Sequence, residues 1–259
     1  MEIFFIALIL SVLVAYTKRA SFRGWLGEQE SKTYLRLSLP QRHYQLYHNI
    51  IIPSDNGTAQ IDHLVVSPYG IWIVETKNKK GWIFGSEHQS KWTQVLGDHK
   101  YSFQNPLRQV YRQKKVLAQF LKISEAEINV VIYFIGDCTF KTALPENVLK
   151  SGVGRYIKTK QAQKLTDETL NMVLQSMRHH TETSTLTTKD HIRSLRERHD
   201  SNTTCPRCGG SLILRTAKKG PSAGSTFLGC ENFPRCRFTK EHPEPEVSVW
   251  QKLSQIWSR

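Results

Sequence analysis

The sequence contains few cysteines: five in 259 residues, an odd number. Four of them lie near the carboxyl end, between Cys205 and Cys236, and Cys138 stands alone. Disulfide frameworks use even numbers of cysteines and belong to oxidising compartments, so this distribution argues against one. The clustering instead indicates a metal site in a protein that resides in a reducing compartment.

Acidic residues are also scarce, since 22 Asp and Glu stand against 36 Lys and Arg. The resulting charge of +14 and the isoelectric point near 9.6 favour a polyanionic partner, which means nucleic acid or an anionic membrane surface. A soluble protein with a basic surface is the alternative that charge alone leaves open. The chain shows no internal repeat, and its length accommodates one medium-sized domain and a small one.

The amino terminus lacks the pattern of a secretory signal, which usually opens with positive charge and ends in a small-residue cleavage site. Here Glu2 comes first, residues 3–16 are apolar, and Lys18, Arg19 and Arg23 follow. A membrane span needs about 20 residues, or at least about 17, which residues 1–20 can just supply. We therefore expect a single-pass anchor there, with its positive flank holding the bulk of the chain in the cytoplasm, at the inner or plasma membrane. A signal peptide or a buried helix is the alternative.

Apolar periodicity and turn residues outline the rest of the chain. Helices are expected over residues 24–37, 106–122 and 166–177, and strands over 44–52, 59–67, 70–77, 129–135 and, more briefly, 153–157. Residues 79–99 form a polar excursion between them. The predicted division is a main domain over residues 21–180, a polar linker with some helix over 181–202, a small module over 203–241 and a tail over 242–259.

The small module carries its cysteines in the order Cys-x2-Cys, 21 residues, Cys-x5-Cys, with the last spacing wider than the usual x2. Two thiolates of a Cys-Pro-x-Cys-Gly turn can bind one ion, and a second pair completes a tetrahedron. We therefore assign Cys205, Cys208, Cys230 and Cys236 to one structural Zn²⁺. Zinc binding also explains how a segment with little apolar content folds.

The module has a Phe-Leu-Gly-Cys lead-in and a Phe-Pro-x-Cys-x-Phe close, in which it resembles the four-cysteine zinc ribbons of bacterial type I topoisomerases. Those ribbons bind single-stranded DNA, and the resemblance implies the same partner here. Aromatic rings suit base stacking and basic neighbours suit phosphate contact. The candidates for nucleic-acid binding in the module are Arg215, Phe233, Arg235 and Phe238, whereas Phe227 fits the small core of the ribbon equally well.

Two carboxylates interrupt apolar strands of the main domain, and each is costly there without a partner or a metal. A two-residue hairpin turn after Ser67 pairs that residue with Gly70. Counting back along both strands then sets Asp62 opposite Glu75, about 5 Å away on one face. Carboxylates so placed favour Mg²⁺ or Mn²⁺ between them, and Lys77 lies on the same face. A cross-strand ion cluster at a sheet edge is the alternative.

Spaced motifs surround this pair in a recognisable order: Gly27-Glu28, Gln60-Ile61-Asp62-His63, Gly70-Ile71 leading to Glu75-Thr76-Lys77, Gly81, and Phe103-x-Asn105-Pro106-x-x-Gln109. In these, residues 27–120 resemble the nuclease-related domain, a branch of the PD-(D/E)xK restriction-endonuclease-like superfamily. The resemblance implies an α/β fold in which helices flank a mixed sheet. Ile61 stands where the superfamily name has a proline, a change that removes no ligand.

The resemblance also implies roles for individual residues. Asp62 and Glu75 would bind Mg²⁺ or Mn²⁺, and Lys77 would be the catalytic lysine. Gln109, on the helix that follows, would orient water or substrate. Glu28 would face the site from the first helix as an outer metal ligand.

Other residues near the centre have less specific roles. Glu30 is a weaker ligand candidate than Glu28 because it lies on another side of the first helix. Lys79 and Lys80 are candidate phosphate contacts, with a solvated loop as the alternative. His63 points to the face opposite its neighbour Asp62, which indicates a core histidine.

Together these features predict a membrane-anchored, metal-dependent nuclease that hydrolyses DNA and uses its zinc ribbon to hold the substrate. Endonuclease and exonuclease action both fit. A non-catalytic DNA-binding or tethering protein at the membrane could use the same fold and charge, and RNA is a further possible substrate.

Overall fold

The computed structural model describes Gly24 and residues 26–242, so the predicted anchor at residues 1–20 and nearly all of the tail lie outside the described residues. The chain divides between Ile192 and Arg193 into two compact units. Within the described part, no helix combines the length and the apolar character that crossing a membrane requires.

The elements of the first unit follow one another as α1 (residues 26–38), β1 (Gln45–Ser54), β2 (Gly57–Ser67), β3 (Gly70–Asn78), β4 (Gly81–Phe84), β5 (Lys91–Leu96), β6 (His99–Gln104), α2 (Pro106–Leu121), β7 (Ile128–Ile135), β8 (Cys138–Phe140), β9 (Val148–Leu149), α3 (Val153–Lys158), α4 (Asp167–Thr183) and α5 (Thr188–Asp200), the last of which crosses into the second unit. A short 3₁₀ turn, Glu125–Glu127, precedes β7.

A mixed five-stranded sheet in the order β1-β2-β3-β7-β9 forms the centre of this unit. The β1, β2 and β3 strands run antiparallel, whereas β7 lies parallel to both β3 and β9. The mixed α/β class predicted from the sequence is thereby confirmed. The strand predicted over residues 129–135 is β7, which lies between two partners and buries most of its side chains.

Helices pack on both faces of this sheet, because side chains alternate along each strand. Leu64 and Ile73 point to one face, where they share a core with Leu117 of α2 and Val173 of α4. Their neighbours point to the other face, where the core includes residues of α1 and α3. A strand such as β3 is therefore apolar on both sides, and a charged residue within it must be compensated by its immediate neighbours.

Two predictions about local structure were wrong. The polar excursion at residues 79–99 contains strands β4, β5 and the start of β6, which join β8 in a second sheet ordered β6-β5-β4-β8. Its strands are mostly exposed, but Trp92 is fully buried and stacks on Phe134 at 6.0 Å between ring centroids. The short strand expected over residues 153–157 is instead helix α3, which begins after Gly152 in a left-handed conformation (φ 74°). Val153 and Ile157 are four residues apart, a spacing that buries one side of a helix as readily as one side of a strand.

The two sheets meet along a crease defined by Gly81 and Gly136. The β3 strand continues into β4 and the β7 strand into β8, and both pairs are parallel. Gly81 and Gly136 have φ angles of 75° and 93°. A Cβ atom would lie 2.3 Å from the Val95 carbonyl oxygen at Gly81 and 2.6 Å from the Lys79 carbonyl oxygen at Gly136. Glycine is therefore required at both positions for steric reasons as well as for the backbone conformation.

A buried histidine pair joins α1 to the sheet. His63 Nε2 lies 2.5 Å from Ser31 Oγ on α1, and His63 Nδ1 lies 2.9 Å from His48 Nδ1 on β1. Burial, together with His48 and Lys32, lowers the pKa of His63 to about 3. Burial together with Lys32 and Arg36 lowers the pKa of His48 to about 4. His63 thus belongs to the core, on the face opposite Asp62, as the sequence predicts.

This pair predicts a loss of stability in mild acid. The folded protein keeps His63 neutral while the unfolded chain takes up a proton near pH 6.5, so the stabilisation is complete above pH 6.5 and falls as pH drops towards the folded pKa. At pH 4.5, two units below the unfolded pKa, the loss from this residue is about 3 kcal/mol. Urea denaturation from pH 7.5 to 4.5 should show a shallower pH dependence for His63→Gln than for the wild type. An exposed control, His88→Gln, should keep the wild-type slope, and a similarly shallow slope in both variants would contradict this account.

The second unit is a small antiparallel sheet, ordered β10-β11-β12 (Leu212–Thr216, Thr226–Cys230 and Thr239–Glu241), together with the last residues of α5. Lys240 Nζ donates to the carbonyl oxygens of His199, Asp200 and Ser201, at 3.3, 3.0 and 3.2 Å. A cation at a helix carboxyl end satisfies carbonyls that lack an intrahelical partner. This contact joins α5 to the strand that closes the sheet.

Candidate functional site

The β2–β3 hairpin assembles the acidic centre. Ser67 pairs with Gly70, as predicted from the turn, and the pairing continues to His63 opposite Val74. The next positions along the two strands are Asp62 and Glu75. There the pairing of β2 with β3 ends, while β3 stays paired with β7, and the Thr76 amide donates to Asp62 Oδ2 at 2.9 Å. Asp62 therefore accepts a backbone hydrogen bond exactly where the two strands separate.

Glu75 is the most highly connected residue of the centre and is only 2% exposed. Its Oε1 accepts from Lys77 Nζ at 2.5 Å and from Gln109 Nε2 at 2.6 Å, and its Oε2 accepts from Gln113 Nε2 at 2.8 Å. Lys77 Nζ also donates to Gln109 Oε1 at 2.9 Å. A buried carboxylate is stable only when it is paired and hydrogen-bonded, and here one ammonium and two amides meet that need.

Helix α2 supplies both amides. Asn105 caps its amino end by accepting from the Leu107 amide at 2.9 Å, and Pro106 occupies the first turn, where a missing amide hydrogen costs nothing. This start fixes the rotation of the helix, so that Gln109 and Gln113, four residues apart, face Glu75 together. The α2 range differs from the prediction by a single residue at its end.

Gln113 is a residue of the centre that the sequence-based reasoning missed. Its Nε2 also donates to the Gln60 carbonyl oxygen at 2.8 Å, which ties α2 to β2. Its Oε1 is buried without a hydrogen-bond partner among the described residues. The available signal was its spacing of four residues from Gln109, which places both side chains on one face of the helix.

Glu28 also belongs to the electrostatic environment of the centre. Burial raises its pKa, and the Glu75 carboxylate raises it further. Burial likewise raises the pKa of Asp62 to about 7, with repulsion from Glu75 as the second cause. Glu30 points elsewhere, since its charge acts on Tyr133. Glu28 is thus partly buried within the electrostatic influence of Glu75, whereas Glu30 is exposed.

The carboxylate and amide oxygens of this centre are the hard donors that Mg²⁺ and Mn²⁺ prefer. Two features fit a cation: the mutual repulsion of the partly buried Asp62 and the buried Glu75, and the Gln113 Oε1, which has no partner among the described residues. The three carboxylates, including Glu28, are not drawn tightly together. Within the described residues, only the four cysteines bring three or more His, Cys, Asp or Glu ligand atoms within 4.8 Å of one another.

The two lysines next to the centre differ in environment. Lys79 is partly buried, and its Nζ lies 4.6 Å from the centroid of the Phe103 ring. Burial lowers its pKa, and the nearby Lys77 ammonium lowers it further. Lys80 is exposed. Lys80 is thus the more accessible of the two predicted phosphate contacts.

The four clustered cysteines converge in the second unit. Cys205 Sγ lies 3.7 Å from Cys236 Sγ, and Cys208 Sγ lies 3.3 Å from Cys230 Sγ. A tetrahedron with Zn–S bonds of about 2.3 Å has edges of about 3.8 Å, so the sulfurs are spaced almost as zinc ligands require. All four are buried, and Asn232 Nδ2 donates to Cys208 Sγ at 3.5 Å. The donor set is that of a closed structural zinc site.

The surface of this module pairs aromatic rings with guanidinium groups. Arg215 lies 5.7 Å from the centroid of Phe233, a ring that is 58% exposed. Arg207 lies at the same distance from Phe238, which is partly buried. Arg235 is exposed. Of the predicted DNA contacts, Phe233 is therefore the ring most available for stacking.

Both units match known families. Residues 23–135 match the nuclease-related domain, and residues 202–245 match the topoisomerase DNA-binding C4 zinc finger. The first unit is thus similar to nuclease-related domains and the second to topoisomerase-type zinc ribbons. The resemblances to these two families, drawn from the sequence motifs, are thereby confirmed, and the cysteine cluster supports a structural Zn²⁺ in the second unit.

Relatives of the two units differ. An uncharacterized protein of Bacillus anthracis is 38% identical over 118 residues, which cover 45% of this chain and 55% of that protein. DNA topoisomerase 1 of Archaeoglobus fulgidus is 48% identical over 40 residues, or 15% of this chain and 5% of the relative. DNA topoisomerase 1 of Helicobacter pylori is 45% identical over 65 residues, or 25% and 8%. The match thus spans about half of the Bacillus relative and small parts of the topoisomerases. No solved structure shows significant similarity to the chain.

The zinc ribbon should depend on its metal for folding. We expect one Zn²⁺ per chain by elemental analysis, and its loss in Cys208→Ala, because one missing thiolate opens the tetrahedron. Apparent zinc binding energies in such modules reach about 10–16 kcal/mol, so residues 203–241 should become sensitive to limited proteolysis. The control is Cys138→Ala, which lies outside the ribbon and should retain its zinc. Retention of stoichiometric zinc by Cys208→Ala would contradict the assignment.

Proposed function

We propose that the protein is a metal-dependent nuclease that hydrolyses phosphodiester bonds of DNA, with a restriction-endonuclease-like fold in its nuclease-related domain. The observation that supports this most directly is the grouping of Asp62, Glu75, Lys77 and Gln109 at the end of the β2–β3 hairpin. Acidic ligands, a lysine and an amide are the groups that phosphodiester hydrolysis requires.

In this proposal Asp62 and Glu75 bind Mg²⁺ or Mn²⁺, with Glu28 as an outer ligand. When bound, the ion polarises the phosphate and lowers the pKa of a coordinated water. Lys77 stabilises the attacking hydroxide or the negative charge that develops on the phosphate. Gln109 orients Lys77 through its Oε1 and Glu75 through its Nε2. Gln113 holds the second oxygen of Glu75, so that the carboxylate keeps one orientation.

The zinc ribbon would hold the DNA. An exposed ring at Phe233 can stack on an unpaired base, and Arg215, Arg235 and the Phe238 region can contact the backbone. The net charge of +14 supports a polyanionic substrate. Beside the acidic centre, Lys80 is an accessible contact for phosphate, with Lys79 behind it. We further propose that residues 1–20 anchor the protein in the inner or plasma membrane, with the remainder in the cytoplasm.

A non-catalytic DNA-tethering protein is the second candidate. Its favouring observation is the ion pair between Lys77 and Glu75, which compensates the buried charge within the protein and would suffice for a purely structural role. RNA is a further candidate substrate for the nuclease. The cleavage and binding assay that follows distinguishes a tethering role and an RNA substrate from a DNA nuclease.

Cleavage should require Lys77. The full chain, supplied with Mg²⁺ or Mn²⁺, should degrade DNA, and Lys77→Met should lower the cleavage rate about 100-fold or more, since it removes charge stabilisation at the reacting phosphate. A matched control, Lys158→Met, removes an exposed lysine of α3 and should keep full activity.

The substrates are single-stranded, duplex and branched DNA and RNA, with DNA binding measured in parallel. Salt-sensitive DNA binding without cleavage under either metal would favour the tethering protein and overturn the nuclease. Preferential RNA cleavage would replace DNA as the substrate.

Metal binding should also be visible without turnover. Asp62→Asn removes the repulsion from Glu75, so it should raise the melting temperature of the zinc-loaded protein in the absence of added Mg²⁺ or Mn²⁺. Adding either ion should stabilise the wild type by a few degrees and the variant very little, because one ligand is lost. Glu30→Gln is the control and should respond to metal as the wild type does. An equal metal response in Asp62→Asn would rule out a cation at this position.

A further inference from the structure

An open cavity of about 410 Å³ lies at the opposite end of β3 from the acidic centre. Its floor includes Trp72, which pairs with Asn129 at the start of β7. Glu75 and Lys77 lie three and five positions beyond Trp72 on β3, which at about 3.3 Å per residue is roughly 10 and 17 Å along the strand. Trp72 also belongs to the face opposite the Leu64 and Ile73 core. The cavity is therefore separate from the proposed nuclease site.

The cavity carries a surplus of positive charge. Its walls include Lys114 from α2 and Lys160 and Lys164 from the segment after α3, against one carboxylate, that of Glu146. Three ammonium groups and one carboxylate leave a charge of +2. The carboxylate is already engaged, since it accepts from Tyr156 OH at 3.2 Å and lies 3.8 Å from Lys160 Nζ.

The remaining ammonium groups have weak partners. Lys164 Nζ lies 3.4 Å from Asn129 Oδ1, a long contact with a neutral oxygen. Burial lowers the pKa of Lys114; Glu125 counteracts this, and the nearby Lys164 adds to it. Two like charges close together in one cavity, Lys114 and Lys164, are suited to an anion between them.

The indole N–H of Trp72, a residue that lines the cavity, is a buried hydrogen-bond donor. Trp72 is 2% exposed, and its Nε1 has no hydrogen-bond partner among the described residues. An indole N–H is a donor only, and burying one unpaired is costly, so an acceptor is expected to satisfy it. The Tyr156 ring stands edge-on to Trp72 at 6.0 Å and is partly exposed, which gives the cavity an aromatic wall.

We propose that this cavity binds a nucleoside monophosphate, either as a free nucleotide or as the phosphorylated end of a nucleic-acid strand. The phosphate oxygens lie among Lys114, Lys164 and Lys160, where a dianion matches the surplus charge, and one ligand oxygen accepts from Trp72 Nε1. A cavity of this volume exceeds the size of phosphate alone and accommodates a nucleoside beside Tyr156. The proposal stands on this cavity and does not depend on nuclease activity.

Calorimetric titration of the full chain tests the site, with AMP, adenosine and inorganic phosphate as probes. AMP should bind, phosphate should bind more weakly and compete with it, and adenosine should bind at least tenfold more weakly than AMP. Lys114→Met and Trp72→Phe should each weaken AMP binding about tenfold, since each removes a contact to a charged phosphate. Lys158→Met, which removes an exposed lysine of α3 outside the cavity, should leave AMP affinity unchanged.

The test does not depend on the folding of the buried variants, because Lys164 lies at the surface. If Trp72→Phe or Lys114→Met melts early, the exposed Lys164→Met carries the same test with little risk to folding. No binding of AMP or phosphate, adenosine binding as tight as AMP, or AMP affinity unaltered by Lys164→Met would each overturn the proposal. Oligonucleotides with and without a 5′-phosphate separate the two sources: a preference for the phosphorylated strand identifies a strand end, and binding of AMP alone identifies a free nucleotide.

Discussion

The buried charge of Glu75 is the constraint on which the centre of the nuclease-related domain depends. A carboxylate that is 2% exposed inside an otherwise apolar strand can persist only with partners at hydrogen-bond distance. Lys77 comes from the same strand, whereas Gln109 and Gln113 come from α2. Losing one such partner from a buried pair typically costs about 3–5 kcal/mol. The packing of α2 on the sheet and the geometry of the acidic centre therefore depend on the same hydrogen bonds to Glu75.

Much of this arrangement follows from local sequence. The turn after Ser67 fixes the register of β2 and β3 up to His63 opposite Val74, and Asp62 and Glu75 are the next residues on the two strands. Proline at the start of α2 and asparagine before it define where the helix begins, which places Gln109 correctly. The spacing of the four cysteines indicated their convergence because a Cys-x2-Cys turn leaves the thiolates few alternatives.

The features that escaped sequence reasoning share a physical cause: their side chains carry little hydrophobic signal. Strands β5 and β6 expose most of their residues, so no alternation of apolar and polar positions marks them, and Trp92 is the main buried contact of β5. Gln113 is a polar residue on an amphipathic helix, for which the sequence pattern predicts a solvent-facing side chain. In the structure it instead donates to Glu75. The α3 segment is too short for its period to be distinguished, and its conformation is set by the left-handed residue before it.

The glycine crease between the two sheets has a consequence for how the domain can change over evolutionary time. The strand that bears Glu75 and Lys77 passes straight through the crease into the second sheet, and its neighbour β7 does the same. The turn at Gly97, between β5 and β6, is open, since no neighbouring atom lies within 4 Å of the Cβ position there. An inserted or deleted residue between Lys77 and Gly81 would instead disrupt the parallel pairing of β3 and β4 with β7 and β8. The outer hairpins can therefore vary to suit new ligands, whereas the segment from the acidic centre to Gly81 has to keep its length.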